Sequence, residues 1–161
     1  MAKRIVAAAF LLFALVALVA LVVKEVRAPK VPLARANTPT AGRDRVVAYY
    51  LHGNTRCATC NSMEALTKDA VTAAFAKELA DGRLEFRVEN FEDPGNEHFG
   101  RDFGIVAASA LLTEEKGGKV VRWKNLKEIW DLYDAPARYD EYIRKETAAF
   151  LGGEGGTVIG A

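Results

Sequence analysis

Two cysteines, Cys57 and Cys60, stand three residues apart in the stretch Tyr49-Tyr50-Leu51-His52-Gly53-Asn54-Thr55-Arg56-Cys57-Ala58-Thr59-Cys60, and the 161-residue chain has no others. Blind placement of two cysteines would give this spacing in about one case in eighty, so the pair reads as a unit. Such a unit suits thiol–disulfide exchange. An exposed thiolate attacks a disulfide, and a second thiol close by releases the mixed disulfide that forms. Cys57 is the expected nucleophile and Cys60 the resolving thiol. Cys57 comes first, at the start of a helical pattern, where free N–H groups and the helix dipole favour an anion, and Arg56 adds a neighbouring positive charge. Asn61 and Glu64 also match a capping box, which would start the helix only after Cys60 and weaken the dipole's help.

Other chemistries draw on the same residues. His52, Cys57 and Cys60 offer three soft ligands to zinc or copper(I), although a closed zinc site needs a fourth. An inert disulfide that stiffens the loop is the bland alternative. Attachment of a c-type haem is excluded, because Asn61 stands where a histidine is required. No cofactor is expected: there is no glycine fingerprint for flavin or nicotinamide, no phosphate loop and no Ser-His-Asp set. A net charge of +1, with basic and acidic residues interspersed, gives no reason to expect a nucleic-acid partner. His98 reads as solvent-facing, and Trp123 and Trp130 as packing on a sheet.

The pair needs elements to hold it. Arg45 to His52 is a short branched and aromatic run, the pattern of a buried strand. Met63, Leu66, Ala70, Ala74, Phe75 and Leu79 recur near helical spacing, predicting a helix from the cysteines to Asp81-Gly82. Arg83 to Phe91 alternates and predicts a second strand, after which Asp93-Pro94-Gly95 breaks the chain. Residues 96–103 suit a short helix ended by Gly104, and a third strand lies within Ile105 to Leu112. Gly117-Gly118 predicts a hairpin to a fourth strand over Lys119 to Lys124. Leu126 to Tyr133 suits a helical turn or two. A last helix is marked by Asp134 as cap, Pro136 in the first turn, and a stripe of Tyr139, Tyr142, Ile143, Phe150 and Leu151. Glycine-rich residues 152–161 read as a disordered tail.

Before this domain of residues 45–151 lies a different kind of sequence. After a tail of residues 1–4, the run from Ile5 to Val23 has no charged or polar side chain and would span about 28 Å as a helix, close to a hydrocarbon core of about 30 Å. It is expected to be an uncleaved transmembrane anchor, with a removed signal peptide as the rival. Residues 24–44, with Pro29, Pro32, Pro39 and Gly42, read as a linker. Lys3 and Arg4 precede the span, while Lys24, Arg27, Lys30 and Arg35 follow it. The short basic start favours a single-pass protein of the cytoplasmic membrane with its domain outside.

Strand, helix, strand, helix, strand hairpin, helix, with Cys-x-x-Cys at the first strand-to-helix junction, resembles the thioredoxin fold over about Val46 to Leu151. The resemblance implies an α/β domain with a central mixed sheet and flanking helices, acting as a thiol-disulfide oxidoreductase on a protein disulfide or dithiol partner. Phe103-Gly104-Ile105 resembles that family's approach to its substrate-binding loop. Where those proteins carry a cis-proline facing the dithiol, this chain has Ser109, so the resemblance implies substrate contacts at Ala108 and Ser109. The fuller stretch from Tyr49 to Cys60, with Met63-Glu64, resembles the ArsF-type subunits of nitrophenyl-compound nitroreductase. That narrower likeness keeps open a non-catalytic subunit of a reductase complex.

Overall fold

The computed structural model describes residues 44–159; the expected anchor over 5–23 and linker up to residue 43 lie outside them. Five strands form one mixed sheet: β1 Arg45–His52, β2 Leu84–Asn90, β3 Ser109–Lys116, β4 Lys119–Asn125 and β5 Thr157–Val158. Their spatial order is β2-β1-β3-β4-β5. β1 runs parallel to β2, with Val46 beside Leu84 and His52 beside Asn90, and antiparallel to β3, with Leu51 beside Ser109. The helices are α1 Ala58–Ala74, α2 Ala76–Asp81, α3 Glu97–Phe103, α4 Ile129–Leu132 and α5 Pro136–Leu151. This β-α-β unit followed by a hairpin and a helix is the arrangement implied by the thioredoxin resemblance. Among the described residues no helix is long and apolar enough to cross a membrane.

Alternation along β1 divides the core, because successive side chains of a strand point to opposite faces. Val46, Ala48 and Tyr50 meet Met63, Ala70 and Val71 of α1 and Tyr139, Ile143 and Phe150 of α5. Val47, Tyr49 and Leu51 face the other way, against Phe99 and Phe103 of α3, with Trp123 packed alongside. Phe103 and Trp123 meet edge to face at 5.4 Å between ring centres, bearing out the expectation that Trp123 packs on the sheet. Helices α1 and α5 are also joined by buried hydroxyls. Thr67 Oγ1 donates to the Met63 carbonyl at 2.7 Å and lies 2.8 Å from the Tyr139 hydroxyl.

Four boundaries differ from the sequence expectation. The first helix breaks at Phe75 (φ −121°, ψ 33°), where the backbone turns so that this side chain enters the core before α2 resumes. β3, expected within Ile105 to Leu112, starts inside that stretch at Ser109 but runs on to Lys116; residues 104–108 form a loop in which the Ile105 N–H donates to the Phe99 carbonyl at 3.2 Å. Asp134 does not cap the last helix, whose N-cap is Ala135 with no side-chain bond. The largest correction concerns the tail: residues 152–159 are folded back, and β5 pairs with β4 through Arg122 and Trp123. Arg122 supplies the reason. It is 6% exposed, its guanidinium sits 4.0 Å above the Phe150 ring, and it donates to the carbonyls of Phe150 (2.7 Å), Glu154 (3.0 Å) and Gly155 (2.9 Å). A composition rich in glycine carries no signal for contacts made by its own backbone carbonyls.

Candidate dithiol site

After His52 the chain takes five residues, Gly53 to Cys57, to reach the first turn of α1. The loop that follows β2 braces this crossing. Glu92 Oε2 accepts the Asn54 N–H at 2.6 Å, and Asn90 Nδ2 donates to Asn54 Oδ1 at 2.8 Å and to Asp93 Oδ1 at 2.7 Å. A Cβ on Gly53 would stand 3.1 Å from the Glu92 carboxylate, so glycine lets the two loops close on each other.

Cys57 is the N-cap of α1. Its backbone is extended (φ −94°, ψ 166°) and its Sγ accepts the Cys60 N–H at 3.1 Å, so a sulfur fills the place usually taken by a serine or aspartate oxygen. The competing capping box at Asn61 and Glu64 does not form. Both side chains turn to Arg56 instead: its Nε donates to Asn61 Oδ1 at 3.1 Å, and its terminal nitrogen is paired with the Glu64 carboxylate. The helix therefore starts at the cysteine pair, and Arg56's positive charge is shared with Glu64.

Environment separates the two free thiols. Cys57 is exposed and Cys60 buried. The Cys57 thiol is held below the ordinary thiol value, first by the hydrogen bond from the Cys60 side chain and then by that from the Cys60 N–H. The Cys60 thiol is pushed up by the same contact, in which it keeps its proton, and by burial. An exposed, acidified thiol beside a buried, protonated one is the asymmetry that nucleophilic attack followed by internal resolution requires.

Sequence reasoning passed over Tyr50. This fully buried side chain lies beneath the first turn of α1, and its hydroxyl donates to the Cys60 carbonyl at 2.6 Å. The available signal was a phenol in an otherwise apolar strand, since a buried tyrosine hydroxyl has to find an acceptor.

Ser109 and Ala108 lie at the same end of the sheet, where Ser109 pairs with Leu51 of β1. The Ser109 hydroxyl donates to the Ala107 carbonyl at 3.0 Å, and the Ala108 carbonyl accepts the Trp130 indole N–H at 2.8 Å. Trp130 is thus 40% exposed and pinned at the end of the sheet rather than packed on its face. Val106, 88% exposed, stands beside it over a cavity of about 320 Å³ that Asn125 and Lys127 also line. His52 Nδ1 lies 3.0 Å from the Gly53 carbonyl. His52, Cys57 and Cys60 do not come together as a ligand set, and no group of three His, Cys, Asp or Glu side chains among the described residues could hold a metal ion. His98 is half-buried, stacked on Phe99 at 4.2 Å between ring centres.

No protein-family model matches this chain, and no curated protein matches it. Among solved structures it is similar to a thioredoxin from Thermus thermophilus, at 13% sequence identity and a TM-score of 0.38, over 65% of this chain and 75% of that one.

Proposed function

We infer that this chain is a thiol-disulfide oxidoreductase that exchanges disulfides with a protein partner through Cys57 and Cys60, tethered to the cytoplasmic membrane by residues 5–23 with its domain on the outer side. One observation carries the reading: an exposed Cys57 capping α1, hydrogen-bonded by Cys60, which waits buried one turn inside. In the reducing direction the Cys57 thiolate attacks one sulfur of the partner's disulfide. That S–S bond breaks, the partner's departing thiolate takes up a proton, and a mixed disulfide joins the two proteins. Cys60 then gives up its proton and attacks Cys57 Sγ, which frees the partner's second thiolate. Two electrons pass to the partner, and this chain ends with a Cys57–Cys60 disulfide; the oxidising direction is the reverse.

The test is a redox titration of the full chain in glutathione buffers. A two-electron couple between about −270 and −120 mV, the span of known dithiol proteins, is expected. It should vanish in Cys57→Ser and in Cys60→Ser. Absence of any such couple would leave the non-catalytic subunit suggested by the likeness to nitroreductase subunits. Topology is tested separately: alkaline phosphatase fused after Arg45 should be active, whereas an active cytoplasmic reporter at that point would overturn the outward placement.

A further inference from the structure

We propose that Tyr50 is a positioning residue for the dithiol, its buried hydroxyl holding the Cys60 backbone so that the Cys60 N–H faces Cys57 Sγ. The inference rests on the dithiol reading above and deepens it. Three contacts on adjacent backbone groups form the link. The Tyr50 O–H donates to the Cys60 carbonyl at 2.6 Å, the Asn61 N–H at the other end of that same peptide unit donates to the Cys57 carbonyl at 3.0 Å, and the Cys60 N–H donates to Cys57 Sγ at 3.1 Å. A peptide unit whose carbonyl accepts a hydrogen bond becomes a better donor through its N–H, so the first two bonds reinforce one another in the low-dielectric interior, and together they fix the Cys60 backbone whose own N–H makes the third.

The strand sets this up. Tyr49 and Tyr50 are consecutive, so they point to opposite faces of the sheet. Tyr49 goes to the α3 side, against Phe99 and Arg87. Tyr50 goes beneath α1, in the same cluster as Cys60 and Met63, and is wholly shielded from water. Burial keeps its phenol protonated well above the ordinary range, so the hydroxyl stays a donor throughout the pH range in which thiols titrate. A buried donor with one good acceptor is lost only at substantial cost, which makes it a firm anchor. The Tyr139 hydroxyl serves as an internal comparison, because its hydrogen bonds to α1 are at Met63 and Thr67, three and seven residues beyond Cys60.

The test uses the reduced full chain in detergent and follows Cys57 ionisation through the pH dependence of its alkylation. Tyr50→Phe removes only the hydroxyl and should raise the Cys57 midpoint by about half a pH unit or more, since hydrogen bonds to the thiolate are what favour it. Tyr139→Phe should lower thermal stability and leave that midpoint where it is. Equal shifts in both variants, or no shift in Tyr50→Phe, would overturn the proposal. If Tyr50→Phe does not fold, the unmodified chain decides: the Tyr50 Cζ resonance should move with the Cys57 midpoint, and a flat response overturns the idea. None of these readouts needs a partner. A chain that shows the Tyr50 effect yet exchanges with nothing would refute the exchange reading alone. A chain that exchanges yet shows no Tyr50 effect would refute this inference alone.

Discussion

Replacing Arg122 by methionine should cost about 3 kcal/mol of stability, a figure built from what the guanidinium holds. Its partners are Glu114 Oε2 at 2.8 Å and the three carbonyls of Phe150, Glu154 and Gly155. Hydrogen bonds from a charged group contribute about 1.5 to 3 kcal/mol each, and breaking a buried ion pair from one side costs about 3 to 5. These figures do not add here. Glu114 keeps Lys116 at 2.9 Å, and Glu154 and Gly155 are exposed, so water can replace the bonds to their carbonyls. The Phe150 carbonyl lies inside, at the end of α5, and accounts for most of the loss together with the contact over its ring. Methionine restores much of the stem's volume but none of its donors. The assay is urea unfolding of the chain in detergent, followed through Trp123 and Trp130. With a denaturant slope of about 1.5 kcal/mol per molar, the midpoint should fall by roughly 2 M. In the same variant the segment after Gly152 should become protease-sensitive while Cys57 alkylation stays unchanged. A loss below about 1 kcal/mol, or a tail still protected, would refute the reasoning that Arg122 pins the C-terminal segment.

Three further outcomes follow from the geometry. Because Arg56 and Glu64 are paired, Glu64→Gln should free the cation and lower the Cys57 midpoint, whereas Arg56→Gln should free the carboxylate and raise it, each by about half a unit; alkylation profiles check this, and shifts of the same sign would contradict it. Stability of the reduced protein should rise with pH from the depressed Cys57 value toward the ordinary thiol value of 9.0, because there the unfolded chain binds the extra proton, and should fall again above 9.0 as the unfolded chain alone releases the Cys60 proton. Urea midpoints across that range test it, and the rise should disappear in Cys57→Ser. Gly156→Ala should cost about 1 to 3 kcal/mol and release β5, since Gly156 has φ +83° and a Cβ there would lie 2.8 Å from the Trp123 carbonyl and 2.9 Å from Phe150; amide exchange at Val158 and Ile159 reads the release.

Much of the fold could be read from local pattern, and the exceptions share a cause. The first strand matches its expected bounds, Arg45 to His52, because a short branched and aromatic run between polar residues has few other uses. β2, α3 and β4 fall within a residue or two for similar reasons of alternation and glycine punctuation. The break at Phe75 is invisible to periodicity, because the same residue satisfies a continuous helical stripe and, once turned, a core position. β5 is invisible because it depends on Arg122, some 30 residues earlier, finding backbone carbonyls. At the site, the cysteine spacing and the strand-to-helix junction were legible, and so was the place of Cys57 at the start of the helix with Cys60 inside it. Whether the helix starts at Cys57 or, through a capping box of Asn61 and Glu64, after Cys60 was undecided in the sequence; the pairing of both side chains with Arg56 decides it. Tyr50's role needed the third dimension, because nothing in Tyr49-Tyr50 tells which phenol meets the Cys60 carbonyl.

Mixed-disulfide trapping with Cys60→Ser tests the central claim most directly. With its resolving thiol gone, the variant should hold a partner protein on Cys57 as a covalent adduct that reductant releases, and Cys57→Ser should hold none. Adducts that form equally on the Cys57→Ser chain, or no adduct on either, would contradict exchange through an exposed Cys57 resolved by a buried Cys60.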